Sequence, residues 1–243
     1  MRNILCALVC LLAIPVVAAC SHASPKPAAP TPATVATAEP ERFDDKVRAD
    51  FFDGMRGDEA AMARAMKVCD DALAKNPKNA EAMVWHGAGV VARARTAFAA
   101  GNRDQGIALY TQGIGEMDAA VALEPNNVGV RIPRGAVFLA MAPFVPEPEK
   151  TKLLEHGLDD YETTYALQQK AGYFPKLTLH AREQLLYGLT DGYANLGKAD
   201  KAAAYVEKMK SEAAGSELLP RAASRARGEA ANGPAPCEQC HRR

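Results

Sequence analysis

The sequence predicts an all-α protein, with antiparallel helical hairpins stacked as an α-solenoid. Two helix ends carry the prediction, Ala72-Leu73-Ala74-Lys75-Asn76-Pro77 and Ala120-Val121-Ala122-Leu123-Glu124-Pro125. Each is stopped by a proline, which lacks an N–H and clashes with the preceding turn. Pro77 and Pro125 stand 48 residues apart, and so do Gly87 and Gly135, which makes an internal repeat. Between them, Gly101-Asn102-Arg103-Asp104-Gln105 reads as a tight turn followed by a capped helix start. No strand-like alternation appears after the first nineteen residues.

Taken in order, the helical pattern begins at Phe43, where Phe43, Val47, Phe51 and Met55 recur every four residues and define one apolar face. Gly57-Asp58 breaks and recaps the chain, and Ala61, Ala65, Val68 and Ala72 form the next face. Met62 and Met66 stand beside it at core-filling spacing, and Cys69 falls among apolar neighbours as a buried, inert thiol. Asn79 caps the following helix. Met83, Gly87, Val90, Ala94 and Ala97 then face Ile107, Tyr110, Ile114, Met117 and Val121 as two seams. Gly87, Gly113 and Gly115 each cost about 1 kcal/mol of helix propensity against alanine. Close approach of another backbone would offset that cost, and a binding crevice is the competing explanation. In the third hairpin Pro133 lies six residues past the candidate cap Asn127, so the helix starts near Ile132 or kinks there. Pro143, Pro146 and Pro148 make a rigid connection to a long helix over 150–170. The fourth hairpin runs through Leu189, Tyr193, Gly197, Ala202 and Val206, and a short basic helix within 217–228 caps the stack.

The stretch from about residue 58 to 213 resembles the tetratricopeptide repeat family, whose unit is about 34 residues. The Ala-Leu pair ahead of a late proline and the small residue of the first helix carry the likeness at the two helix ends above, and the next plainest match is Leu189-Thr190-Asp191-Gly192-Tyr193-Ala194-Asn195-Leu196-Gly197-Lys198-Ala199-Asp200-Lys201-Ala202, where Leu189, Tyr193, Gly197 and Ala202 stand at family spacing. The 48-residue period lengthens each helix of the hairpin by about seven residues, roughly two turns, which preserves facing. Met83 stands where the family has its tryptophan, with Trp85 two residues on. The resemblance implies a binding scaffold for protein, peptide or apolar partners. Mapped by family spacing, Val84, Ala88, Val91, Ile132, Ala136 and Leu139 would line its groove; the alternative is that another helix covers them.

The N-terminal region gives an address. After Met1-Arg2-Asn3, a 14-residue apolar run from Ile4 to Val17 suits a signal peptide and is too short to span a bilayer. It ends in Val17-Ala18-Ala19-Cys20, which resembles a bacterial lipobox. That resemblance implies cleavage of residues 1–19, lipidation of Cys20 as the membrane anchor and, from Ser21, the periplasmic face of the outer membrane; the alternative is cleavage after Ala23 and secretion. Five prolines between Ser21 and Glu41 make 20–42 a linker reaching at most roughly 65 Å. The domain then spans 43–229 and the tail 230–243. The full chain carries 29 basic and 29 acidic residues, and loss of Arg2 with the leader leaves a balance of −1 without a basic block, which argues against nucleic acid.

Chemistry is sparse. There is no phosphate loop, no His-Glu-x-x-His and no Gly-x-Ser-x-Gly, and His86, His156 and His180 never pair at helical spacing, so no enzymatic activity is expected. The exception is Cys237-Glu238-Gln239-Cys240-His241. Cys-x-x-Cys-His is an attachment signature for c-type haem, with thioethers from Cys237 and Cys240 and His241 as the iron ligand. A disulfide, and metal binding or thiol exchange, compete with that reading in an oxidising compartment. With Arg242-Arg243 alone after His241, the expectation is a haem docked on the helical body rather than a cytochrome c domain. Candidate distal ligands are His22, His86, His156, His180 and Met209. The expected function is a non-enzymatic binding scaffold, with a haem-bearing electron-transfer or sensing protein as the alternative.

Overall fold

A computed structural model describes residues 42–230, and these contain nine α-helices, two short 3-10 turns and no strand. The helices are α1 (Phe43–Met55), α2 (Glu59–Lys75), α3 (Ala80–Ala99), α4 (Arg103–Leu123), α5 (Val128–Met141), α6 (Glu149–Lys170), α7 (Leu179–Asn195), α8 (Ala199–Glu212) and α9 (Leu219–Ala226). Local chemistry sets their starts. Asp58 accepts from the Ala61 N–H at 2.9 Å, Asn79 from Ala82 at 3.0 Å, Asn127 from Gly129 at 2.7 Å and Thr178 from Ala181 at 3.2 Å. Asn102 stands at the start of α4 without such a bond. Gly101 and Gly197 close the turns before α4 and α8 with φ of +80° and +71°, a left-handed conformation that side chains resist.

The most extensive contacts join α1 to α2, α3 to α4, α5 to α6 and α7 to α8, with further contacts from α2 to α3 and from α6 to α7. α9 covers α7 and α8 at the C-terminal end of the described chain. Three cores follow in sequence. Val47, Phe51, Ala65, Met66, Cys69 and Val90 form the first. The second is built on Val84, Val91, Met117, Val130, Phe138, Leu153 and Leu154. The third holds Leu158, Phe174, Leu186, Leu189, Tyr193, Val206 and Met209. Trp85 and Ala88 pack against both the first and second cores, and Leu139 and Leu196 against both the second and third. Each large aliphatic or aromatic side chain in these cores contributes about 1.5–3 kcal/mol by leaving water. Burial pushes the Cys69 thiol up to about 12, as expected of an inert thiol.

Glycines set the closest crossings. A Cβ on Gly87 would lie 2.7 Å from the Gly113 carbonyl oxygen, and one on Gly113 would lie 2.6 Å from the Gly87 carbonyl oxygen. The next pair of helices shows a similar relation, with a Cβ on Gly157 falling 3.2 Å from the Gly135 carbonyl oxygen. Gly135 also leaves room for the Tyr161 ring, which a Cβ there would meet at 2.7 Å. Close backbone approach thus accounts for Gly87 and Gly113, and room for the Tyr161 ring accounts for Gly135.

Several expected positions differ. Pro133 lies within α5, which begins at Val128 directly after its Asn127 cap, so the helix start is not delayed. Met55 and Ile107 are about half exposed instead of facing a core. α4 turns Gly106 toward α3 where Ile107 was expected, and a Cβ on Gly106 would strike the Phe98 ring at 2.5 Å. Gly115 meets nothing: a Cβ there has no atom within 4 Å. Gly115→Ala is therefore expected to raise stability by about 1 kcal/mol, read as a higher denaturation midpoint in urea at unchanged slope.

Candidate functional site

Gly115 opens onto a shallow trough that is largely open to solvent. α2 supplies Asp70 and Leu73 on one wall, with Pro77 just beyond its end; α4 supplies Thr111, Gln112, Gly115, Glu116 and Ala119 on the other; α3 supplies Met83 and His86. The Gly87–Gly113 crossing fixes this geometry. His86 adjoins Gly87 and Glu116 lies one turn past Gly113, so the crossing that joins the helices also brings these side chains together.

His86 faces carboxylates on both ring nitrogens, Glu116 at 2.5 Å from Nδ1 and Asp70 at 3.3 Å from Nε2. Gln112 Nε2 donates to the other Glu116 oxygen at 2.9 Å. The hydrogen bond with Glu116 raises the His86 pKa against the opposing effect of burial, with further support from the charges of Glu116 and Asp70. Burial acts to raise Glu116, but the bonds from His86 and Gln112 more than offset it and hold that carboxyl below its usual value. His86 therefore ties α3 to both α2 and α4.

The linkage has a defined sign. The raised His86 pKa stabilises the fold fully below the unfolded histidine value and loses that contribution as pH rises through the folded one. The lowered Glu116 pKa stabilises above the unfolded glutamate value and loses that contribution as pH falls through the folded one. His86→Gln is expected to cost about 1 kcal/mol near about pH 6, and the difference from the parent should shrink as pH rises. Denaturant unfolding across that range measures it, and a pH-independent difference would exclude the linkage.

A second polar cluster joins α6 to α7 and α8. The Tyr193 and Tyr205 rings stack at 5.8 Å, and both hydroxyls donate to the same Glu162 oxygen. Tyr165 donates to Glu212 at 2.8 Å, and Lys208 lies 4.8 Å from its ring centre. Burial first, then the Glu162 carboxylate, pushes the Tyr193 and Tyr205 hydroxyls up, which suits hydrogen-bond donors and not proton exchange. This cluster binds helices to one another.

The residues expected to line a groove are not brought together as one. Val84 and Val91 belong to the second core at 0% and 2% exposure. α3 is packed on by α2, α4 and α5, which leaves no open face for them. Ala88 and Leu139 pack between cores, Ala136 is half-buried and Ile132 is exposed. The correction is physical: mapped from a 34-residue unit onto longer helices, Val84 and Val91 fall on a face of α3 that neighbouring helices cover, while Ile132 falls on an exposed one. Cys20, Cys237, Cys240 and His241 lie outside the described residues. Of the candidate distal iron ligands, His86 is engaged on both nitrogens and Met209 is fully buried. His180 Nδ1 lies 3.5 Å from Glu183, His156 stacks on Phe138 at 6.2 Å, and His22 lies outside the described residues. Among the described residues, no group of three or more His, Cys, Asp or Glu is placed to hold a metal ion.

Local periodicity could not reveal the trough, because His86 and Glu116 are 30 residues apart and on different helices. The usable signal was the pairing of Gly87 with Gly113, which places their neighbours on one surface. No family model matches the chain, and no curated protein or solved structure is matched either.

Proposed function

We propose that this chain is a non-enzymatic binding scaffold, a tetratricopeptide-like stack of helical hairpins carried as a lipoprotein on the periplasmic face of the outer membrane. The consecutive helix contacts support the stack, as does the glycine crossing that recurs from Gly87–Gly113 to Gly135–Gly157. The observation that carries binding is the open trough between α2 and α4, beside a glycine that packing does not require. Lipidation of Cys20 supplies the anchor and the Pro-rich linker the reach. The test is site-specific photo-crosslinking in cells from Thr111, with exposed Arg95 as the control position. A discrete adduct from Thr111 and none from Arg95 supports the scaffold; equal patterns from both count against it. Cys20→Ala should release the protein from the membrane fraction, and its retention would remove the lipoprotein reading.

Cys237-x-x-Cys240-His241 favours a second reading, a haem-bearing protein. The donor set suits the group: two thiols for thioethers and a histidine for iron. Bound haem would supply one-electron transfer or small-ligand binding. A Soret band in protein made with the cytochrome c maturation system, lost in Cys240→Ala, supports it; a tail peptide two hydrogens lighter than its dithiol, with no such band, means a disulfide.

A further inference from the structure

The trough is polar at one end and apolar at the other. Asp70, Thr111, Gln112 and Glu116 gather toward one end with His86 beside them. Leu73, Pro77, Met83 and Ala119 lie toward the other. From Thr111 to Ala119 α4 advances eight residues, about 12 Å at 1.5 Å each. That length suits three or four residues of extended chain at about 3.3 Å each. The floor stays open because position 115 carries no side chain: a Cβ there would meet nothing within 4 Å, so neither packing nor backbone conformation calls for glycine.

The charges do not balance. One imidazole, His86, stands between two carboxylates, Glu116 and Asp70, so even when protonated it offers one positive charge to two negative ones, with Arg93 on the same helix acting on His86 only through its field. The Glu116 side chain is spent on His86 and Gln112, whereas the Asp70 side chain is 64% exposed at the trough wall. One negative charge is left facing solvent beside an apolar surface. That combination recognises a cation on an aliphatic stem next to an apolar group.

We propose that the α2–α4 trough binds a short extended segment of a partner protein, seating a lysine or arginine side chain against Asp70 and an adjacent apolar side chain against Leu73, Pro77 and Met83. This rests on the scaffold reading and names the ligand class of that site. Main-chain groups of the segment have Thr111 and Gln112 within the same wall as polar partners, and the acidic surplus rejects a segment carrying Asp or Glu at that position.

The experiment is fluorescence anisotropy with the full chain and two fluorescein-labelled pentapeptides, Ala-Leu-Arg-Leu-Ala and its twin with Glu in place of Arg. The Arg peptide should bind at least tenfold more tightly than the twin. Asp70→Asn should reduce that preference at least threefold. Gly115→Leu, which fills the floor and favours the helix, should weaken binding at least tenfold while the thermal midpoint is unchanged or higher. Thr111→Arg, at an exposed position, provides an independent block and should weaken the Arg peptide at least tenfold. Equal binding of the two peptides, or no saturable binding of either, overturns the proposal. Arg-peptide binding that survives both Gly115→Leu and Thr111→Arg also overturns it, since the ligand then sits elsewhere; the scaffold reading would stand. A crosslink from Thr111 without pentapeptide binding likewise leaves a scaffold but removes the basic ligand.

Discussion

Arg134→Ala is expected to cost about 3–5 kcal/mol of folding stability, because it takes the bidentate partner from a buried carboxylate. Asp160 on α6 is fully buried and receives Arg134 Nε at 2.7 Å and Nη2 at 2.8 Å. Arg134 also donates to Asp118 on α4 at 2.9 Å, so one guanidinium joins three helices. Arg131 adds a bond to Asp160 at 2.9 Å and one to Asp159 at 2.9 Å. Burial pushes the Asp160 carboxyl above its ordinary value, and Arg134 and then Arg131 pull it part of the way back. Without Arg134, the carboxylate keeps its desolvation penalty and loses its bidentate partner. The sign of the pH effect follows. A further rise in the Asp160 pKa makes the folded variant take up a proton before the unfolded chain does, so its stability should increase as pH falls from neutral toward the unfolded aspartate value. Replacing both partners, as Arg134→Met with Asp160→Leu, should cost less than Arg134→Ala alone, because no buried charge is left without its partner. Urea denaturation of the three proteins decides it; an Arg134→Ala variant within 1 kcal/mol of the parent would show that the network contributes nothing.

Gly87→Ala and Gly113→Ala are each expected to cost about 2–3 kcal/mol, against the gain expected at Gly115. The methyl group at position 87 would press on a backbone carbonyl and on Met117 Cγ at 2.9 Å, and at position 113 on a backbone carbonyl and the Val91 nitrogen at 3.0 Å. Backbone cannot rotate away as a side-chain tip can, so α3 and α4 must separate. Once one methyl has moved them apart, the second fits more easily, and the double variant should cost less than the two singles together. Additive losses in a double-mutant cycle would mean that the two glycines act through different contacts.

Much of the architecture was readable because proline and glycine act locally. Pro77, Pro125 and Gly101 mark ends that no tertiary contact has to create, and the Asp58, Asn79 and Asn127 caps follow from side chains a few residues from their partners. The spacing of Gly87 and Gly135 found one side of each crossing. Gly157 was missed because Gly135 and Gly157 are 22 residues apart, whereas Gly87 and Gly113 are 26, so the partners do not share the period. Ile107 was misplaced because its α4 position fits the helical period but its side falls past Gly106, the residue that meets Phe98. The trough was hidden for a different reason. His86, Asp70 and Glu116 come from three helices, and neither charge nor periodicity says which of several acidic residues a histidine will meet. Arg134 and Asp160 are equally silent in sequence, since a buried ion pair has the composition of an exposed one.

Trp85 is the chain's single tryptophan, and it lies where the first core meets the second, 5.0 Å from the Phe51 ring. Its indole emission is thus a gauge of one seam. If α1 and α2 peel away first, the fluorescence will red-shift while most of the far-ultraviolet helical signal persists. If the whole array melts together, the two optical curves will superimpose. Unzipping from one end and all-at-once collapse can therefore be told apart without attaching any dye.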